Sequence, residues 1–133
     1  VWSATSFNLL RKNGMEVERK NHLNPDKDSE LSYVEKCFSD KDIPVIAATD
    51  YMRSYSEQIR PYIKSPYHTL GTDGYGRSDS RETLRDFFEV DSTNISRSAI
   101  YALYKKNHFS KEQIIDFYKD LEVDANKPNP WEV

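Results

Sequence analysis

Ile43-Pro44-Val45-Ile46-Ala47-Ala48 is a continuous apolar run. A strand with one wet face would alternate apolar with polar. An unbroken run therefore predicts a strand buried on both faces, as in a parallel sheet. Downstream, Met52, Tyr55, Ile59 and Tyr62 fall on one helical face, with Pro61 disturbing its end. Residues 67–72 predict a second short strand, and residues 80–88 a helix whose inner face is Leu84, Phe87 and Phe88. Asp79 is placed to cap that helix, with Glu82 three residues on in a capping-box arrangement. Two more helices follow. One, about 93–106, carries Ile95, Ala99, Ala102 and Leu103. The other starts at Ser110 with Gln113 at its third position, and its face is Ile114, Tyr118 and Leu121.

Upstream of the run, residues 31–39 predict a short helix with Leu31, Val34 and Phe38 inward. Residues 24–30 are a polar loop, and residues 8–23 are helical in pieces, broken at Gly14. Residues 1–6 lean towards a strand. The tail 127–133 holds Pro128 and Pro130 and is expected to be irregular. Three strands among five or six helices predict an α/β layered domain over residues 1–123, with 124–133 as an extended tail. A sheet of three strands leaves an edge bare.

Composition bears on the same point. Only 37% of the 133 residues are apolar and 31% are charged, against roughly 45–50% apolar in soluble domains when Gly is counted. The core is thin for the length. The chain opens on Val1-Trp2-Ser3-Ala4-Thr5-Ser6-Phe7, apolar from its first residue. We expect this start to be a cut, with part of the core supplied by preceding chain. The net charge of -3 lacks the basic excess of a general nucleic-acid binder and gives no attraction to an anionic membrane. No apolar run approaches the roughly 20 residues of a spanning helix. One cysteine, Cys37, cannot form an internal disulfide, which suits a cytoplasmic protein.

The densest local signal is Gly71-Thr72-Asp73-Gly74-Tyr75-Gly76, followed by Arg77-Ser78-Asp79-Ser80-Arg81. It lies after a predicted strand and before a predicted helix, where open α/β sheets place ligands. Free N–H groups with Arg77 and Arg81 could hold an anion or small ligand. The spacing G-x-x-G-x-G is neither dinucleotide fingerprint nor P-loop, and Asp73 and Asp79 oppose a polyphosphate. The other reading is a tight turn in which the glycines supply backbone freedom and the loop packs against another subunit. His22, His68 and His108 lack metal-ligand spacing. His68 is expected as a hydrogen-bonded core or edge residue, and Cys37 as a small buried hydrophobe. No G-x-S-x-G marks a serine nucleophile. Asp50 and Tyr51 could line a cleft, or Asp50 could cap the next helix. The nine tyrosines, several of them beside Lys or Arg, could form a stacking surface, but without net positive charge they read as core-edge and interface residues. No complete catalytic arrangement is visible.

The stretches 1–7, 48–52 and 70–85, with Phe88-Glu89-Val90-Asp91 and Asp124-Ala125-Asn126-Lys127-Pro128-Asn129-Pro130, resemble one family over essentially the whole chain. They are similar to the C-terminal part of homodimeric bacterial pyruvate dehydrogenase components that use thiamine diphosphate, which share a transketolase-like C-terminal domain. The resemblance implies a mostly parallel sheet with one antiparallel strand, in three α/β/α layers, whose first strand and helix would precede Val1. It implies a subunit several times longer, with upstream domains that bind thiamine diphosphate and Mg²⁺ and that form the active site across a dimer. The reaction it implies is pyruvate decarboxylation and acetyl transfer to lipoyl groups of an acyltransferase component. No catalytic, cofactor or metal residue carries over onto this chain, so the chain alone is expected to be inactive. In this frame Asp73, Gly74, Tyr75, Gly76, Arg77, Asp79 and Arg81 are candidates for the dimer interface. A docking surface for the acyltransferase component is a further possibility implied by related proteins.

Overall fold

In the computed structural model, which describes residues 1–39 and 42–133, the apolar run becomes β1 (Val45–Ala48). It pairs in parallel with β2 (Tyr67–Leu70), Val45 opposite Tyr67 and Ala48 opposite Leu70. Among the described residues six helices accompany the pair: α1 (Phe7–Leu23), α2 (Tyr33–Cys37), α3 (Arg53–Glu57), α4 (Arg81–Phe87), α5 (Ser92–Lys105) and α6 (Lys111–Asp120). A single 3-10 turn, Arg60–Tyr62, follows α3.

The strand period sorts the side chains onto two faces. Val45, Ala47 and Tyr67 pack with Val34, Ile59, Tyr62 and Ile63, joined by Phe7, Leu10 and Phe38. On the other face Ile46 and Leu70 pack with Phe88 and Val90, joined by Leu84, Phe87 and Ile95. Helices thus cover both faces, the α/β/α layering that the parallel strands require. The cover is incomplete: β1 is half-buried, Ala48 is exposed and Ile43 is 60% exposed. Full burial of the run was the expectation, and the short sheet does not provide it. Among the described residues no helix is long and apolar enough to cross a membrane.

Several local expectations change. Residues 1–6 are not a strand, because β-leaning residues need a partner strand to satisfy their backbone. Ser6 instead caps α1, its hydroxyl accepting from the Leu9 N–H at 3.2 Å. α1 is continuous through Gly14, which is buried. A Cβ there would stand 2.3 Å from the Tyr62 ring, so the glycine is a contact point and not a break. The Tyr62 hydroxyl is 3.2 Å from Glu18 Oε2 on the same helix. Asn13 accepts from the Tyr33 N–H at 2.8 Å, and Asn21 brackets Glu30 with two bonds of 2.9 Å, tying α1 to α2 and the polar loop.

The expected face after Asp50 is only half correct. Ile59 and Tyr62 are buried, whereas Met52 and Tyr55 are exposed and Ser56 is fully buried. α3 stops at Glu57 and a 3-10 turn begins at Arg60, so one helical period does not run across both. The cap of α4 is Ser80, one residue later than expected. Its hydroxyl accepts from the Thr83 N–H at 3.2 Å, and Asp79 accepts from the Ser80 N–H at 2.6 Å. The α6 capping box of Ser110 and Gln113 forms as expected. After α4, α5 and α6 the chain turns at Glu89, Asn107 and Glu122, all with φ between 51° and 61°, where glycine is the usual occupant.

Candidate functional site

β1 and β2 are parallel, so both carboxyl ends emerge on one side, and the segments that leave them meet there. The Thr49 N–H donates to Leu70 O at 3.0 Å and the Thr72 N–H to Tyr51 O at 2.9 Å. The Thr72 hydroxyl donates to Asp50 O at 2.9 Å. Gly71 sits at the crossing: a Cβ would lie 2.7 Å from both Arg53 N and Tyr51 O. The first glycine of the motif is needed for this close approach.

The rest of the loop is clasped by charge. Asp73 accepts from the Arg53 N–H at 3.0 Å, and its other oxygen lies 3.5 Å from Arg53 Nε. The Arg53 guanidinium is covered by the Trp131 ring, 5.0 Å away. Gly74 has φ 102°, in the left-handed region, and a Cβ there would be 3.2 Å from Trp131 Cα. Tyr75 at the tip is 92% exposed, and nothing lies within 4 Å of a Cβ on Gly76. The Arg77 guanidinium lies over Phe87 at 4.3 Å. Asp50 faces Arg81 at 3.6 Å and Arg85 at 3.3 Å. It lines the cleft and does not cap α3, whose cap position is Met52 with no side-chain bond. Both arginine contacts reach across the groove between β1 and α4. That groove, about 410 Å³, has Leu84, Phe88 and Val90 as its floor.

The sequence candidates therefore come together in part. Asp73, Gly74, Arg77, Asp79 and Arg81 are engaged within the chain. Tyr75 and Gly76 face outward. His68 is exposed on β2, an edge strand, so of the core and edge placements the structure takes the edge; His22 and His108 are exposed elsewhere. Cys37 ends α2, half-buried and free. Among the described residues no group of three or more His, Cys, Asp or Glu could hold a metal ion. Of the groove arginines, Arg81 and Arg85 face Asp50 and Arg77 lies over Phe87, while Arg53 faces Asp73. This donor set does not fit a Mg²⁺-diphosphate group. Arg53, Lys127, Pro130 and Trp131 were not among the expected site residues. The one signal for them was a tryptophan in a proline-containing tail, and it stays half exposed in the fold.

Behind the site a second cluster ties α3 to β2. The Arg60 guanidinium binds Glu57, with Nη2 at 2.7 Å, and donates to Tyr67 O at 2.9 Å. The Thr69 hydroxyl donates to Glu57 at 2.5 Å, and the Tyr67 hydroxyl to Ser56 O at 2.7 Å. The hydrogen bond from Arg60 is the main reason that the Glu57 carboxyl falls to about 2, against partial burial that opposes it, with Thr69 assisting. Burial pushes the Tyr67 phenol upward. A carboxyl depressed in the folded state gives stability that is present above its unfolded value near 4.5 and lost as pH falls towards 2. Glu57 is partly exposed, so screening reduces the contribution to about 1 kcal/mol. Urea unfolding of Glu57→Gln is expected to show a shallower loss of stability between those two pH values. An acid limb identical to that of the parent would remove Glu57 as its source.

The family described as "Transketolase-like TK C-terminal domain" matches residues 1–91. The chain is similar to the "Pyruvate dehydrogenase E1 component" of Pseudomonas aeruginosa, 46% identical over 131 residues, 98% of this chain and 15% of that relative. It is 43% identical over 133 residues to the protein of the same description from Cupriavidus necator, all of this chain and 15% of the relative. With that of Escherichia coli K12 the identity is 40% over 131 residues, 98% of this chain and 14% of the relative. The chain thus spans 14 to 15% of the length of these relatives.

Proposed function

This chain belongs to the transketolase-like C-terminal domain family, and on that premise we propose that it is the C-terminal domain of a homodimeric pyruvate dehydrogenase component. The observation that carries the proposal is 46% identity to an E1 component across 98% of the chain. The parent subunit decarboxylates pyruvate in the cytoplasm and passes the acetyl unit to lipoyl groups of an acyltransferase component. Thiamine diphosphate and Mg²⁺ are held by its other domains, since the donor set here suits neither. No step of the reaction is assigned to a residue of this chain. Residues 1–123 form the domain and 124–133 its tail.

Its role is assembly of the dimer through the 71–81 loop. Tyr75 supports this: its ring is 92% exposed at the tip of a loop held on one side by Arg53–Asp73 and on the other by Arg77–Phe87, and tyrosine is a residue type that interfaces favour. Burying it would add roughly 1.5–3 kcal/mol to an interface. Tyr75→Asp in the full-length subunit is expected to raise the dimer dissociation constant by at least about ten-fold. Pyruvate decarboxylation should fall with it at low protein concentration and recover at high. Sedimentation and rate unchanged at all concentrations would remove the interface role. A full-length subunit that does not turn over pyruvate with thiamine diphosphate and Mg²⁺ would remove the proposed activity. The second reading, an anion site at the same loop, gains nothing from the groove, where Asp50 already faces Arg81 and Arg85.

A further inference from the structure

The tail beyond α6 returns to the loop and is held at two points. Lys127 Nζ donates to the Asp86 carbonyl at 2.7 Å and to its carboxylate at 3.1 Å, near the carboxyl end of α4. A cation there satisfies an end carbonyl and meets the negative end of the helix dipole. Two turns shape the tail, one just before Lys127 and one across Trp131. The Asn126 N–H donates to Asp124 Oδ1 at 2.8 Å and the Glu132 N–H to Asn129 O at 2.9 Å. Pro130 is buried. Trp131 then covers Arg53, which itself holds Asp73. The next loop residue is Gly74, in the left-handed region, where a Cβ would come 3.2 Å from Trp131 Cα and 3.5 Å from the Pro130 carbonyl oxygen.

One aromatic residue from the far end of the chain thus closes over both an arginine–aspartate clasp and the turn beside it. Arg53 Nε is shielded from solvent and makes no hydrogen bond. Its compensation comes from the Asp73 carboxylate 3.5 Å away and from the ring above. The clasp side chains are already about a third exposed, and removing the ring would uncover them further and free the Gly74 turn in one step. Beyond Gly74 the loop is tethered at Arg77 on Phe87 and at Arg81 on Asp50. The exposed residues Tyr75 and Gly76 lie between these tethers and the clasp.

We propose that residues 127–131 are a strap that fixes the conformation of the 71–81 loop, with Trp131 as its positioning residue and Lys127 as its anchor. The strap rests on contacts within this chain. Its consequence for subunit pairing rests on the assembly role proposed above. The test is amide hydrogen exchange on the full-length subunit. In Trp131→Ala, the Arg53 and Thr72 amides, which donate to Asp73 and to Tyr51 O at the clasp, are expected to exchange about ten-fold faster, the equilibrium change from losing a partly covered cation–π contact. Those of β1 and β2 should keep their parent rates. Trp131→Phe should restore most of the protection, because it keeps a ring over Arg53. Lys127→Met, which leaves Trp131 in place, should give a smaller acceleration in the same amides. Unchanged exchange of the Arg53 and Thr72 amides in both Trp131→Ala and Lys127→Met would overturn the strap. So would acceleration spread equally over β1 and β2, since Trp131 would then stabilise the domain and not the loop. Faster loop exchange with unaltered sedimentation would keep the strap and remove its link to pairing.

Discussion

Gly71→Ala is expected to destabilise the domain by about 3 kcal/mol, the upper part of the range for overpacking a closed contact. The added methyl would stand 2.7 Å from Arg53 N and from Tyr51 O. Both are backbone atoms, and neither can rotate away. Relief requires β1 and β2 to part at their carboxyl ends, where Thr72 bonds Tyr51 and Thr49 bonds Leu70. It would also pull Arg53 from Asp73 and so open the loop. With a urea slope of about 2 kcal/mol per molar, the unfolding midpoint should fall by about 1.5 M. A midpoint within a few tenths molar of the parent would mean that the crossing is looser than the structure has it.

The second large effect is at Gly14, where simple helix propensity predicts the wrong sign. Alanine in place of glycine in a helix interior is worth about 1 kcal/mol in favour of the variant. Here the new methyl would meet three atoms of the Tyr62 ring at 2.3 to 2.6 Å. That ring is buried in the cluster of Val34, Ile59, Ile63 and Tyr67, and its hydroxyl reaches Glu18. Moving it costs more than the propensity returns, and a net loss of about 2 kcal/mol is expected for Gly14→Ala. The discriminating measurement is a double-mutant cycle with Tyr62→Leu. In that background, with the ring gone, Gly14→Ala should be neutral or stabilising. The same loss in both backgrounds would place its cause elsewhere than at Tyr62.

These two glycines also mark where sequence reasoning stops. Gly71 belongs to a motif, and its place after a strand and before a helix was legible from pattern alone. Its neighbour across the crossing was not, because Tyr51 and Arg53 approach it only once two strands pair in parallel. Gly14 carried the signal of a helix break, and the helix runs through it. A glycine's missing side chain has the same appearance in sequence whether it ends an element or admits a neighbour. Asp50 could line a cleft or cap a helix on sequence grounds, and the facing positions of Arg81 and Arg85 on α4 decide for the cleft. The loop candidates were identified together, but the tail that closes on them was seen only as an irregular end.

Local pattern alone points to the parallel strands, through an apolar run too continuous for a sheet with one wet face. It determined the existence of α4, α5 and α6, through apolar spacing and capping residues a few positions apart, and the family, through the long motif at 70–85. Each of these signals lies within one element or one connected stretch, where covalent geometry sets the spacing. The tertiary structure alone decided that residues 1–6 are not a strand, that Gly14 receives Tyr62, and that Trp131 covers Arg53 beside Gly74. Those outcomes depend on which distant surfaces meet. The energies involved are packing and desolvation at contacts between segments remote in sequence, and these are set by the crossing of the elements and not by their local pattern.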